Sequence, residues 1–157
     1  MSQEQSAAVP SSDIPKPIRF LLTSQKLAVL ATQNQGQPHA SLVAFASTAD
    51  AREIIFATTR SSRKFANLQA DPRADLLIDS RTNQEADFHL GQALSAAGAV
   101  RELSGPDKSA RLQLFLNKHP HLLEFVQSPS CALMSLHVQV YNLVSTFQKV
   151  IEYRLPS

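Results

Sequence analysis

The chain has 157 residues, of which 43% are hydrophobic and 18% are charged, a composition typical of one soluble globular domain. Its formal net charge of +2 gives no support for nucleic-acid binding. No apolar run approaches the ~20 residues that a bilayer-spanning helix needs, so we expect no membrane partner. The single cysteine, Cys131, suits a reducing compartment. Because the N-terminus lacks a signal-peptide pattern, we expect a cytoplasmic protein.

The predicted elements begin after a polar segment, residues 1–12, which we expect to be a disordered tail. Residues 13–155 are expected to form a single domain. A helix is predicted at its start, with Asp13 as the N-cap. Two apolar runs, 26–33 and 38–47, flank the turn-forming sequence Asn-Gln-Gly-Gln and predict a β-hairpin.

Residues 53–79 contain the most informative pattern, in which a strand is followed by a turn, a helix and a second strand. The turn, TTRSSRK, holds four hydroxyls and three cations. Phosphate binds where a turn opens a helix, because the first N–H groups are unpaired and the helix dipole is positive there. Arg63 and Lys64 occupy a first turn in which acidic residues are usual, which favours a bound anion. The alternative is that Ser61 or Ser62 caps the helix and the cations are solvated surface charge.

The second half of the chain is predicted to contain two long strands separated by helices. Residues 80–87 are expected to form a loop and residues 88–100 a strand. Its outward side carries small residues that let another surface approach closely: Gly91, Ala93, Ser95, Ala97 and Ala99. A helix over 107–118 precedes a strand starting at Ala132, whose apolar residues recur with period two. Its polar side is predicted to hold Ser135, His137, Gln139 and Tyr141.

Strands joined by hairpins, with short helical insertions, predict a mainly β (α+β) fold, an antiparallel barrel with peripheral helices. A parallel doubly wound sheet is disfavoured because three strands precede the first helix that could connect them. The five histidines have no zinc-like spacing, and Cys131 lies in an apolar run typical of a core residue. The sequence therefore indicates no metal site and no catalytic constellation.

In their order and spacing, several motifs resemble the pyridoxamine 5′-phosphate oxidase-like superfamily, the FMN-binding split-barrel group. The motifs are LAVLAT (27–32), GQPH (36–39), SLVAF (41–45), IIFATTRSSRK (54–64), NL (67–68), DPRADLLID (71–79), and a terminal strand with Tyr141 and Phe147. They cover most of residues 20–148. The resemblance implies a six-stranded antiparallel split β-barrel with short peripheral helices. It also implies a homodimer with a flavin in a groove at the subunit interface.

The residues that the resemblance implies as flavin-binding are Ser41, Leu42, Val43, Ala44, Ala57, Thr58, Thr59, Ser62, Arg63, Lys64 and Gln92. The first four would lie along the isoalloxazine ring, largely through their backbone. Ala57 and Thr58 would reach the ribityl-phosphate region. Arg63 and Lys64 would bind the phosphate, and Gln92 would lie near the flavin.

Two departures from the oxidase proper bear on function. The oxidase strand equivalent to residues 39–44 starts with arginine and ends with lysine, whereas this chain has His39 and Ala44. The oxidase's C-terminal tryptophan and arginine elements have no match, and the chain contains no tryptophan. The sequence therefore predicts a general FMN-dependent oxidoreductase with a small-molecule substrate and assigns no catalytic residue. Two alternatives stay open, a non-catalytic flavin or heme carrier and a reductase that uses the deazaflavin F420.

Overall fold

The computed structural model describes residues 13–145 and 149–157; the predicted tail and Phe147 lie outside these ranges. The strands are β1 (Leu27–Asn34), β2 (Gln37–Ser47), β3 (Glu53–Thr59), β4 (Arg73–Asp79), β5 (Ala93–Glu102), β6 (Cys131–Ser145) and β7 (Lys149–Arg154). The helices are α1 (Lys16–Ser24), α2 (Arg63–Ala70), α3 (Asp87–Leu90), α4 (Gly105–Lys118) and α5 (Leu123–Gln127), with a 3₁₀ turn at Pro120–Leu122. No helix within the described ranges has the length and hydrophobicity needed to cross a bilayer.

Six of the strands close into an antiparallel barrel. Their order is β3-β2-β1-β4-β5-β6, and β6 pairs back to β3, while β7 extends the sheet beyond β6. The predicted hairpin is present, since β1 and β2 pair from Leu27 opposite Ala44 to Asn34 opposite Gln37. The prediction of a six-stranded antiparallel split barrel with short peripheral helices is confirmed.

Two apolar clusters stabilise this fold. The larger fills the barrel, where Phe45, Phe56 and Leu76 are fully buried, and α1 contributes to it through Ile18 and Leu21. The smaller lies outside the barrel wall, between β2, β3, β6 and the helices α4 and α5. Its members are Ala46, Ile55, Leu103, Phe115, Val126 and Leu133. Because alternate residues of a strand point to opposite faces, β3 and β6 contribute to both clusters.

The prediction of one strand over residues 88–100 is wrong in its first part. β5 begins only at Ala93, and the preceding residues form α3. The cause is Asp87, whose Oδ2 accepts hydrogen bonds from the backbone N–H groups of Thr82 (2.8 Å) and Asn83 (2.8 Å). These bonds fold the loop onto the helix, and the Gly91 N–H closes the turn by donating to the Asp87 carbonyl at 2.8 Å. Gly91 is therefore not part of the small-residue side of β5.

The predicted polar side of β6 is wrong at Tyr141, because the strand carries a bulge. The ladder with β5 shifts at Gly98 and leaves Gln139 without a β5 partner. One extra residue reverses the alternation of side chains. Tyr141 therefore points into the barrel, is fully buried, and donates its hydroxyl to the Ala51 carbonyl at 2.7 Å. Only glycine fits at position 98, since a Cβ there would lie 1.9 Å from the His137 carbonyl oxygen.

Two smaller predictions are also wrong. Asp13 does not cap α1, because Pro15 occupies the N-cap position and no side-chain cap is formed. A residue before proline avoids the helical region, so Ile14 stays outside the helix. Ser135, predicted on the polar side of β6, is 1% exposed because α4 and α5 cover this part of the barrel.

Candidate functional site

The barrel is split between β2 and β3. These strands pair with each other only through residues 45–47 and 54–56. Within the described chain, residues 42–44 pair with β1 alone, and residues 57–59 pair with β6 alone. Diverging strands leave backbone N–H and C=O groups without a ladder partner on the facing sides. The divergence forms a groove of about 340 Å³, named here the split groove.

Three parts of the chain line the split groove: the diverging ends of β2 and β3, the start of α2, and the helical segment that includes α4 and α5. The lining residues are Leu42, Val43, Ala44, Ala57, Thr58, Thr59, Lys64, Phe115, Leu122 and Phe125. Apart from Phe115, Leu122 and Phe125, each of them is predicted from the sequence to bind flavin. The fold thus brings residues from two separate motifs and from the later helical segment to one cleft.

The start of α2 is organised by Ser62. Its Oγ accepts a hydrogen bond from the Phe65 backbone N–H at 3.2 Å and lies 2.8 Å from the Thr58 Oγ1. The capping alternative is therefore confirmed for Ser62. It does not exclude a bound anion, because the N–H groups of Arg63 and Lys64 also stand in the first turn, where a helix has no internal acceptors. The first turn contains no acidic residue.

The three cations of this turn differ in their partners. Arg60 forms an ion pair with Glu102 and lies over the Phe65 ring, 5.6 Å from its centroid. The hydrogen bond to Glu102 raises the pKa of Arg60. Arg63 and Lys64 have no acidic partner among the described residues. Arg63 is exposed and Lys64 is half-buried in the groove. Two unpaired cations beside free helix N–H groups can hold a phosphate dianion.

Four predicted residues are not part of the groove lining. Ser62 and Arg63 adjoin it at the start of α2, whereas Ser41 and Gln92 belong to other parts of the barrel. Ser41 pairs with the buried Leu30 and shares its inward face of the sheet, and its Oγ is buried with no hydrogen-bond partner in the described ranges. Gln92 precedes β5, where its N–H donates to the Ser80 Oγ at 2.9 Å. A single chain does not bring Gln92 to the split groove.

One side of the groove is not predicted from the sequence. Phe115 comes from α4, Leu122 from the 3₁₀ turn and Phe125 from α5, and we name these three residues the helical wall. The sequence signal for them is the helical spacing of apolar residues in this segment. That signal predicts an apolar face but does not say what the face packs against.

The helical wall is fixed to the barrel at the end of α4. His119 is buried, and its Nε2 donates to the Phe45 carbonyl at 2.8 Å, so Nε2 carries the proton. Lys118 donates its Nζ to the Leu22 carbonyl at 2.9 Å and lies 3.9 Å from the centroid of the Phe45 ring. Burial lowers the pKa of His119 and lowers the pKa of Lys118 to about 8. Both contacts hold α4 against β2 and α1.

The split groove is suited to a flat ligand with an anionic end. Its helical wall and strand backbones can bind a ring, and Arg63 and Lys64 can bind an anion. Lys64 is the one titratable side chain that lines the groove in the part of the chain described. The described residues also contain no cluster of three or more side chains able to hold a metal ion. The described residues that line the split groove can thus bind and orient a ligand.

Comparison with known proteins finds one family. The sequence profile of the family described as Pyridoxamine 5'-phosphate oxidase matches residues 14–141. A pyridoxamine 5'-phosphate oxidase homolog from Schizosaccharomyces pombe is 39% identical over 84 residues, which are 48% of this chain and 44% of the yeast protein. The matched stretch thus spans less than half the length of that relative.

Solved structures share the fold at low sequence identity. A heme binding protein from Mycobacterium smegmatis superposes with a TM-score of 0.78 at 18% identity, over 98% of this chain and 60% of that protein. An FAD-binding protein from Mesorhizobium loti superposes with a TM-score of 0.66 at 15% identity, over 81% of this chain and 89% of that protein. At these identities the likeness shows a common architecture alone.

Proposed function

Since this chain belongs to the pyridoxamine 5′-phosphate oxidase family, we propose that it binds FMN in the split groove and acts as a flavin-dependent oxidoreductase on a small molecule. The observation that carries the proposal is the pair of cations at the start of α2, Arg63 and Lys64, which have no acidic partner among the described residues and of which Lys64 lines the groove. FMN joins a flat ring system to a phosphate dianion. These two parts suit the apolar and the cationic parts of the groove.

Each part of FMN has candidate partners in this chain. The phosphate would lie at the start of α2, where Arg63 and Lys64 would donate charge-assisted hydrogen bonds. The ring would lie along residues 42–44, whose backbone groups lack a strand partner on the groove side. When bound, the flavin supplies the electron chemistry, while the chain binds it, orients it and excludes water.

A non-catalytic flavin carrier is the second candidate, and one observation favours it. Among the described residues that line the groove, Lys64 is the one titratable side chain, and no carboxylate, histidine or cysteine accompanies it. Heme is disfavoured because no histidine, cysteine, methionine or tyrosine lines the groove in the described ranges, and these side chains are the usual axial ligands. No residue of the groove lining favours the deazaflavin F420 over FMN. Absorption spectra of the extracted cofactor, and bleaching of a bound flavin by NADH or NADPH, separate these functions.

The proposal is tested by comparing two cations of the same turn. Lys64→Ala should weaken FMN binding roughly 10- to 150-fold, because a hydrogen bond to a charged group contributes about 1.5–3 kcal/mol. Arg60→Ala is the matched control, since Arg60 is already held by Glu102 and its removal should leave FMN affinity unchanged. Flavin fluorescence titration measures both variants. Riboflavin, which lacks the phosphate, should bind the wild type and Lys64→Ala equally, and an equal loss of both ligands contradicts the assignment.

We also propose that the protein is a homodimer. The outer side of β1, β4 and β5 is covered by no helix within the described chain, and we name it the open face. A row of neighbouring residues crosses it through the strand register: Leu42, Val29, Leu77 and Ser95. Leu42 is 65% exposed and also lines the split groove, so a second copy on this face would adjoin the groove. Sedimentation at micromolar concentration that gives a 17.2 kDa monomer contradicts the proposal.

A further inference from the structure

The helical wall contains one aromatic ring that the chain itself leaves partly exposed. Phe115 is 1% exposed, whereas Phe125 is 39% exposed, and both line the split groove. The apolar ring of Phe125 thus stands at the cleft with area available for contact. A partly exposed aromatic side chain in a cleft with a few polar groups is typical of a ligand-binding site.

The backbone that carries Phe125 is held in place before any ligand binds. The 3₁₀ turn and α5 follow directly after His119, which is bonded to the Phe45 carbonyl, and after Lys118, which is bonded to the Leu22 carbonyl. These contacts tie the segment to β2 and α1. A contact surface that is fixed in advance loses less entropy on binding than a mobile loop does.

We propose that Phe125 is a ligand-contacting residue that packs against the flat ring of the molecule bound in the split groove. The proposal rests on the function proposed above, because it takes α2 as the site of the phosphate. Lys64 and Phe125 come from separate elements that line the same groove. A ligand spanning both places its anionic end at Lys64 and its ring at Phe125. The size of the space beside Phe125 then limits which ring systems the groove accepts.

Binding of two flavins by Phe125→Ala tests this assignment. Riboflavin and FMN carry the same ring, so the affinity for each should fall by the same factor. The expected factor is roughly 2- to 12-fold, the range for an aromatic contact. This pattern differs from that of Lys64→Ala, which weakens FMN alone. Competition of inorganic phosphate with FMN should give the same phosphate affinity in Phe125→Ala as in the wild type, because the anion end is unaltered.

Leu123→Ala is the matched control, since Leu123 lies in α5, is 44% exposed and is not part of the groove lining. It should bind both flavins like the wild type, which excludes a general weakening of α5. Phe125→Leu keeps an apolar side chain without a ring and should give an intermediate loss. Unchanged riboflavin affinity in Phe125→Ala overturns the role of Phe125. An equal loss of riboflavin affinity in Leu123→Ala does the same. Neither result affects the proposed function. A wild type that binds neither flavin overturns both this role and the proposed function.

Discussion

The two sides of the barrel's outer surface are completed in different ways. Over β3 and β6, the helices α4 and α5 bury the strands, so that Leu133 is 2% and Ser135 is 1% exposed. On the open face, Leu27 is 57% and Leu77 is 39% exposed. The pleat of the strands is the same on both sides. The chain covers one side with its own helices. Because we propose that a second copy of the chain covers the open face, we expect the side under the helices to control folding and the open face to control association.

The largest effect is expected on the covered side. Phe115→Ala should lower the free energy of unfolding by roughly 3–5 kcal/mol, because it removes a buried aromatic ring and leaves a cavity. Leu77→Ala, on the open face, should lower it by about 1 kcal/mol or less when measured at protein concentrations that favour the monomer. Urea denaturation of both variants measures the difference. Equal losses would contradict the division between the two sides.

The next effect is on association. Leu77→Arg should raise the dimer dissociation constant roughly 30-fold or more, since a charge buried without a partner in an interface costs about 2 kcal/mol or more. Gln113→Arg, on the exposed side of α4, is the control and should leave the dissociation constant unchanged. Sedimentation velocity over a concentration series measures both. Dimerisation that is equally weakened by the two variants would remove the open face as the interface.

Acid is expected to act in opposite directions on the two sides. On the covered side, burial lowers the pKa of His119 below its ordinary 6.5, so the unfolded chain takes up the proton first. His119 therefore contributes its full stabilisation above pH 6.5, and this contribution decreases as the pH falls below that value. On the open face, burial raises the pKa of Asp75 above its ordinary 3.8, so the folded chain takes up the proton first. Stability from Asp75 increases as the pH falls through its raised pKa.

Two variants that remove a titratable group separate these contributions. His119→Gln keeps an N–H donor near the Phe45 carbonyl and should reduce the loss of stability on acidification. Asp75→Asn removes the carboxylate, whose Oδ1 has no hydrogen-bond partner among the described residues. This variant should lose the gain of stability that Asp75 gives as the pH falls. Denaturation midpoints measured across the acidic range check both signs. If both variants changed the pH dependence of the denaturation midpoint in the same direction, the opposite effects assigned to His119 and Asp75 would be contradicted.

The smallest effect is expected from a buried hydroxyl under α4 and α5 that lacks a hydrogen bond. The Ser135 Oγ is buried and has no partner in the described ranges, so Ser135→Ala should leave stability unchanged or raise it by about 1 kcal/mol. Ser62→Ala deletes the same group from a bonded cap and should lower stability by about 1 kcal/mol. Thermal denaturation compares the two deletions. A loss at Ser135 as large as that at Ser62 would show that its hydroxyl does have a partner.

Local chemistry made one part of the site predictable. The turn that ends in Arg63 and Lys64 is a continuous stretch whose helix start and cations can be predicted from neighbouring residues alone. The hairpin that includes β2 follows from its apolar runs and turn residues in the same way. The resemblance to a known family then related Leu42 to the same groove, although the two segments are far apart in the sequence.

Long-range packing made the remaining parts unpredictable. Phe125 reaches the groove only because α5 packs on the outside of the barrel, which no spacing within the helix specifies. Tyr141 lies inside because one bulge at Gln139 reverses the alternation, and a period-two pattern contains no sign of an inserted residue. Asp87 ends the predicted strand early through bonds to the loop before it. Gln92 lies away from the split groove within one chain, so its predicted role would need a second subunit.

The split between β2 and β3 also has a mechanical consequence. The ladder between the two strands runs over residues 45–47 and 54–56, and on the groove side of this ladder each strand is supported by its other neighbour. The free ends can therefore move apart or together by bending about this short ladder without breaking any bond between them. The width of the split groove can thus change while the ladders of β2 with β1 and of β3 with β6 stay intact. Bending of the two strands at the Phe45–Phe56 pair would open or narrow it.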